Sequence, residues 1–217
     1  MAKDINDYEK FLALDEEKQE RIVNAAMKEF LVGYKKASTD NIVREAGISK
    51  GLLFHYFGTK EKLYRFLIDH SMKTVAHEYL DLINITQSDI LDSIWQLSLL
   101  KQDLSNHYPV IFDFLACAYA DETTKGTAIR DSLNTFMKTR DAIFAKVYAQ
   151  ADRSLFRDDI EPTIAINIIN WTMQGYAQSI MSSVPSQEVG SLARENYDMF
   201  LKQFEQVLNT FRLTFYK

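Results

Sequence analysis

The chain has 217 residues, of which 47% are hydrophobic and 12% aromatic, so it can build a sizeable core. Gly and Pro are scarce, at 7 and 3, which disfavours turn-rich β architecture and predicts an all-α fold. The net charge of −5 argues against nucleic-acid contact by the whole surface, and a single cysteine, Cys117, excludes an intrachain disulfide framework.

The charge is unevenly spread. Between Glu16 and Lys62 the basic residues slightly outnumber the acidic ones, so the acidic excess lies elsewhere and a nucleic-acid module is permitted at the N-terminal end. The opening MAKDINDYEK lacks the apolar run of a signal peptide, and no stretch approaches the roughly 20 apolar residues of a membrane span. A soluble, cytoplasmic protein is expected.

In chain order, Asp15 is a good N-cap, with Glu16 and Glu17 in the first turn. The helix it opens carries Ile22, Val23, Ala26, Met27, Phe30 and Leu31 at helical spacing and ends at Gly33. Ser38 opens a short helix with Ile42, Val43 and Ala46. Gly47 suits a left-handed turn, and Ser49 caps a second short helix, Lys50 to Phe57, ended by Gly58. Two short helices around a central glycine form the helix-turn-helix pattern.

Longer helices are predicted beyond. They span about 59–83, 88–106, 109–120 (with Pro109 at a first helical position), 127–151, 162–184 and 187–215. Residues 121–126 read as a loop and 153–161 as a polar irregular stretch.

A short helix reads DNA by laying its N-terminal residues against base edges in the major groove while neighbours hold phosphates. Within Lys50–Phe57, Lys50, Leu52 and His55 lie within about a turn of one another and fit that task. Lys50 suits a guanine edge or phosphate, His55 a base or phosphate, and Leu52 a thymine methyl, while Gly51 lets the backbone approach closely. Leu53, Phe54 and Phe57 are expected on the buried side. Tyr56, Lys60 and Thr39 are phosphate candidates, the last two at helix starts. Taken singly, each of these residues has an ordinary surface or packing role as its alternative.

The whole string from Ala46 to Leu63, AGISKGLLFHYFGTKEKL, closely resembles the signature of the TetR family of bacterial transcription regulators. An amphipathic helix precedes it and a long helix follows. The family commonly has Tyr where Phe54 stands and Thr, Ala or Asn where Leu52 stands, so a phosphate hydroxyl and a polar base contact are replaced here by apolar groups. The resemblance covers about residues 15–70. It implies a DNA-binding domain over 1–58 and a helical ligand-binding and dimerisation domain over 59–217, with the helix 59–83 connecting them. It also implies a homodimer on a palindromic double-stranded DNA operator, a repressor released by a small-molecule effector, and no cofactor.

The larger part is rich in bulky apolar residues. Trp95, Phe112, Phe136, Met137, Phe144, Trp171 and Tyr176 are candidates to line an effector cavity, with a lipophilic or flat ligand in view; plain core is the alternative. Asn170, Gln174, Asp113, His107 and Arg140 are candidate polar anchors. In the last two helices Ile164, Ile168 and Gly175, then Phe200, Phe204, Val207 and Phe211, form apolar stripes suited to a dimer seam or to packing within one subunit.

Catalysis finds no support in these residues. There is no HExxH, P-loop, GxGxxG or GxSxG, and His70 and His77 are two turns apart, which leaves no metal site. Cys117 sits in an apolar helix and reads as an inert thiol. The rival function is a helical regulator on the same fold that acts through a protein partner without a small-molecule inducer.

Overall fold

The computed structural model describes residues 8–84, 86–183 and 192–217, with side chains omitted for 177–183 and 192–200. Every regular element among the described residues is helical. The chain divides into two compact units, and each is described separately.

The first unit takes the chain up to His77 together with His107–Phe136. It contains α1 (Glu9–Leu12), α2 (Glu16–Phe30), α3 (Thr39–Ala46), α4 (Lys50–Phe57), nearly all of α5 (Lys60–Glu78), α7 (Ile111–Ala120) and the start of α8 (Ala128–Ala149). Asp15 caps α2 as expected, accepting the Lys18 N–H at 2.9 Å, and Ser49 caps α4 by accepting from Leu52 N at 3.2 Å. Ser38 precedes α3 but its hydroxyl makes no capping bond. The Ser38 N–H instead donates to the Glu29 carboxylate at 2.7 Å, which ties the start of α3 to α2. Gly47 adopts φ +64° between α3 and α4, a left-handed conformation that a side chain disfavours.

Phe11, Ile22, Met27, Phe30, Ile42, Leu53, Leu63, Leu67 and Phe114 are all at most 1% exposed. Burying each such side chain stabilises by about 1.5–3 kcal/mol. The short α1, which the sequence reading left out, delivers Phe11 against Phe57 and Phe66, with ring centroids 4.8 and 5.2 Å away. That packing explains how four helical residues hold their place.

The second unit comprises Glu78–Asn106 and Met137–Lys217. Its elements are α6 (Ile90–His107) up to Asn106, the rest of α8, α9 (Pro162–Ser183) and α10 (Leu192–Phe215). Ile90, Leu91, Ile94, Phe156, Ala165, Ile169, Phe204, Leu208 and Phe211 form its core. A polar clamp fixes its C-terminal end. Asp89 accepts from Leu91 N and Asp92 N at the start of α6, from Arg212 Nη1 at 2.9 Å and from the Tyr216 hydroxyl at 2.9 Å. Arg212 also pairs with Asp92. Burial pushes the Asp89 carboxyl up, but these hydrogen bonds together outweigh it and hold its pKa below the usual value.

Two expected boundaries shift. The helix predicted over 59–83 ends at Glu78, and a separate 3-10 turn follows at Leu80–Leu82. The helix expected from Pro109 starts at Ile111. By contacts, α5 up to His77 packs with the first unit, where Leu63, Tyr64 and Leu67 are buried.

Candidate nucleic-acid interface

α4 has two faces of opposite character. Leu53, Tyr56 and Phe57 are buried, whereas Lys50, Gly51 and His55 are exposed. Gly51 has nothing within 4 Å of where a Cβ would sit, so the backbone there is open to a close partner. Leu52 is half-buried at the edge of the exposed face. Phe54 departs from the expectation. It is half-exposed rather than buried, because it lies one turn after Lys50 on the same outward side. The exposed face therefore reads Lys50, Gly51 and His55, with Leu52 and Phe54 half-buried beside it.

The Lys50 ammonium is ion-paired with Asp40 in the first turn of α3, at 2.8 Å. Both side chains are at least half exposed, so the pair contributes about 0–1 kcal/mol and is readily exchanged for another anion. Thr39 is the first residue of α3 and half-exposed. Arg44, which the sequence reading passed over, stands exposed on α3 and donates to Asn41 Oδ1 at 2.7 Å. Its signal was its place on the polar side of the helix that buries Ile42 and Ala46.

Two phosphate candidates are positioned differently from a free surface contact. Tyr56 is only 7% exposed, with its ring edge-on to Phe11 at 6.1 Å. Lys60 is half-buried, and its Nζ donates to the Ala37 carbonyl at 2.6 Å while lying 4.9 Å from the centroid of the Tyr34 ring. An ammonium carries three donors, so two remain for an outside acceptor. Lys60 thus also pins the turn ahead of α3.

The candidate effector residues are divided between the two units. Phe112 and Phe136 belong to the first unit, and Trp95, Met137, Phe144, Trp171 and Tyr176 to the second. Trp95 and Tyr176 each stack near-parallel on Phe204, at 6.5 and 6.0 Å, and pack against the second unit's core. Trp171 is 65% exposed. Among the candidate anchors, Asn170 accepts from the Tyr148 hydroxyl at 3.1 Å, and Arg140 pairs with its neighbour Asp141.

The candidate seam residues separate sharply. Ile164 and Ile168 on α9 are 59% and 36% exposed, and with Trp171 they form an outward apolar stripe. Gly175 continues it with open space around its α-carbon. On α10, Phe204 and Phe211 are instead buried in the unit's own core. Side chains already removed from water have little area left to offer a second copy, so intrasubunit packing accounts for these two. Val207 is half-buried, and Phe200 lies outside the described side chains.

Cys117 is half-buried, and burial, then Asp113 and Asp121, push its thiol pKa up, which disfavours the thiolate. No group of three or more metal-ligating side chains occurs among the described residues, and none of their helices is long and apolar enough to cross a membrane.

Two short helices at a tight left-handed glycine turn, buttressed by α2 and α5, define a helix-turn-helix unit. Residues 22–66 match the family of bacterial regulatory proteins, tetR family, which is a family of regulators and not of enzymes. The fold extends the likeness over nearly the whole chain. A TetR family transcriptional regulator from Chloroflexus aurantiacus J-10-FL superposes with a TM-score of 0.61 at 20% identity, covering 96% of this chain and 98% of that one. The ketosteroid transcriptional regulator KstR2 of Mycobacterium tuberculosis gives 0.58 at 18%, covering 94% and 97%. A TetR-like transcriptional regulator from Rhodococcus sp. RHA1 gives 0.53 at 14%, covering 90% and 93%. No curated protein matches the chain by sequence.

Proposed function

We propose that the protein is a homodimeric transcription regulator that reads a palindromic operator with α4. The observation that carries this reading is the exposed face of α4, where Lys50, Gly51 and His55 stand free of the core that Leu53, Tyr56 and Phe57 build, with Leu52 and Phe54 half-buried at its edges. Lys50 and His55 read base edges or phosphate, Leu52 and Phe54 touch thymine methyls, and Gly51 lets the strand approach. Thr39, Tyr56 and Lys60 hold phosphates, with Arg44 added from the neighbouring helix.

The dimer seam in this reading is the α9 stripe of Ile164, Ile168, Trp171 and Gly175, with the half-buried Val207 of α10 as a further candidate. Large apolar side chains left in water on one helix face are what a second copy would cover. Repression, with release by a small, largely apolar effector held in the second unit near Trp95, Phe144 and Tyr176, completes the proposal. Such an effector works only by favouring one of two arrangements of the recognition helices.

The test is selection of DNA sequences from a random pool by the purified full-length protein, at a stated salt concentration. A recovered palindrome with half-sites about 10 base pairs apart, or a near multiple, supports the reading. Weak, salt-sensitive binding with no motif overturns it.

A further inference from the structure

The turn between α2 and α3 leaves two lysines in water at its tip. Lys35 and Lys36 are exposed, while Ala37 beside them is only 5% exposed. We propose that Lys36 is a further DNA contact, its ammonium holding a backbone phosphate that flanks the bases facing α4. This contact rests on the operator reading above and extends it beyond the recognition helix.

The turn is pinned on both sides of the lysine pair. Its backbone closes where the Ala37 N–H donates to the Gly33 carbonyl at 3.1 Å. Before the pair, the Tyr34 N–H donates to Asp121 at 3.0 Å, and the Tyr34 ring packs on Tyr64 with centroids 5.1 Å apart. After it, the Ala37 carbonyl accepts from Lys60 Nζ at 2.6 Å, and the Ser38 N–H donates to Glu29 at 2.7 Å. A contact carried by so fixed a backbone costs little further ordering on binding.

The two lysines differ in what answers their charge. Lys35 stands within electrostatic reach of the Asp121 carboxylate. The Lys36 ammonium has no hydrogen bond or ion pair among the described residues. The carboxylates around the turn are already engaged. Asp121 accepts from Tyr34 and Thr123, Glu29 from Ser38 and Asn41, and Asp40 pairs with Lys50. The Lys36 charge is thus left for an outside anion.

Its place in the unit suits a phosphate of the same operator. Asp40 follows Lys36 by four residues and touches Lys50, the first residue of α4, at 2.8 Å. A chain spans at most about 3.6 Å per residue, so the α-carbons of Lys36 and Asp40 lie within about 14 Å of each other. Successive phosphates of one strand advance about 3.4 Å along the duplex axis, which makes that reach about four base pairs. Lys60, a phosphate candidate itself, is bonded to the residue after Lys36. A phosphate contact carries no sequence information, so Lys36 strengthens binding to every sequence alike.

The experiment is the salt dependence of binding of the full-length protein to a labelled random-sequence duplex, followed by fluorescence anisotropy. Selection from a random pool is run beside it. Lys36→Gln should lower the slope of log affinity against log salt by about 0.9, the value for one phosphate, and leave the selected sequence unchanged. Lys36→Arg should keep the wild-type slope. Lys73→Gln removes the same charge about 20 Å further along α5 from Lys60 and should also keep it. An unchanged slope in Lys36→Gln, or a drop that Lys73→Gln reproduces, overturns the proposal. A palindrome recovered by a protein whose slope ignores Lys36 removes this contact and leaves the operator reading intact. A slope that depends on Lys36 with no recovered motif keeps the contact and overturns the operator reading. Absence of any salt-dependent binding by the wild type overturns both.

Discussion

The Asp121 carboxylate, in the turn after α7, accepts the backbone N–H of Tyr34, in the turn before α3, at 3.0 Å. The same carboxylate accepts from Thr123 N at 2.8 Å and from the Thr123 hydroxyl at 2.7 Å. Burial pushes the Asp121 pKa up, yet the hydrogen bonds from Tyr34 and Thr123 outweigh it and lower the value. One side chain thereby fixes two turns, 87 residues apart in sequence, within the first unit.

Asp121→Ala should therefore destabilise the protein by about 1–3 kcal/mol, the cost of leaving partly buried donors unpaired. Asp121→Asn, which keeps an acceptor, should cost less. Denaturant unfolding measures both, and hydrogen exchange at the Tyr34 amide should quicken in the alanine variant. An unchanged Tyr34 exchange rate would show that the turn is held by other contacts.

Lys60 should act on stability as well as on DNA. Its ammonium donates to Ala37 O and lies over the Tyr34 ring, so Lys60→Ala removes an internal charged hydrogen bond and a cation–π contact. A loss of about 1–2 kcal/mol in unfolding free energy is expected without any DNA present. Lys50→Ala, by contrast, should leave stability within about 0.5 kcal/mol and change the selected DNA sequence. Equal melting behaviour of the two variants would contradict this division of roles.

The ion pair between Lys50 and Asp40 gives a prediction of opposite sign. The Asp40 carboxylate competes with DNA for the lysine and itself repels phosphate. Asp40→Asn should tighten DNA binding, most visibly at low salt where exposed charges are least screened. Titration of an operator at two salt concentrations tests it, and weaker binding by the variant would assign Asp40 a role in holding α3.

The helix-turn-helix was legible because local chemistry specified it: Asp15 and Ser49 cap, Gly47 turns left-handed, and Leu53 and Phe57 face inward. Phe54 was misplaced because aromatic character predicts burial, whereas its outward position follows from its turn relation to Lys50. Tyr56 reads as a phosphate contact from its hydroxyl and Lys60 from its place at a helix start; the Phe11 ring and the Ala37 carbonyl they meet come from distant segments. The α9 and α10 stripes look equally apolar in sequence. Only the packing of Phe204 and Phe211 into a core built partly by α6 separates them from Ile164 and Trp171.

His70 makes stability pH-dependent in a definite direction. Burial lowers its folded pKa below the unfolded value of about 6.5, and Lys73 adds to this while Asp69 opposes it. The unfolded state then binds the proton more readily. The His70 contribution is complete above about pH 6.5 and is lost as pH falls from there through the folded pKa, below which the slope ends. Thermal melting between about pH 7 and 5 should drop in the wild type, and His70→Phe, which keeps a ring against Phe66 and Tyr108, should flatten that drop. A parallel fall in both proteins would place the titrating group elsewhere.

The seam proposal separates two aromatic residues, Trp171 on α9, which the sequence offers as cavity lining, and Phe204 on α10, which it offers for the seam. Trp171 is 65% exposed and Phe204 only 5%. Trp171→Glu puts a charge on the outward stripe, where it costs the isolated subunit little, within about 0.5 kcal/mol. In a dimer covering that stripe the same charge would be buried without a partner, so sedimentation should show monomers at micromolar concentration. Phe204→Ala should do the reverse. It leaves a cavity in the second unit's core and should cost about 3–5 kcal/mol of folding stability. A Trp171→Glu variant that sediments as a dimer would move the seam off α9, to the outward side of α10 where Leu213 is 84% exposed.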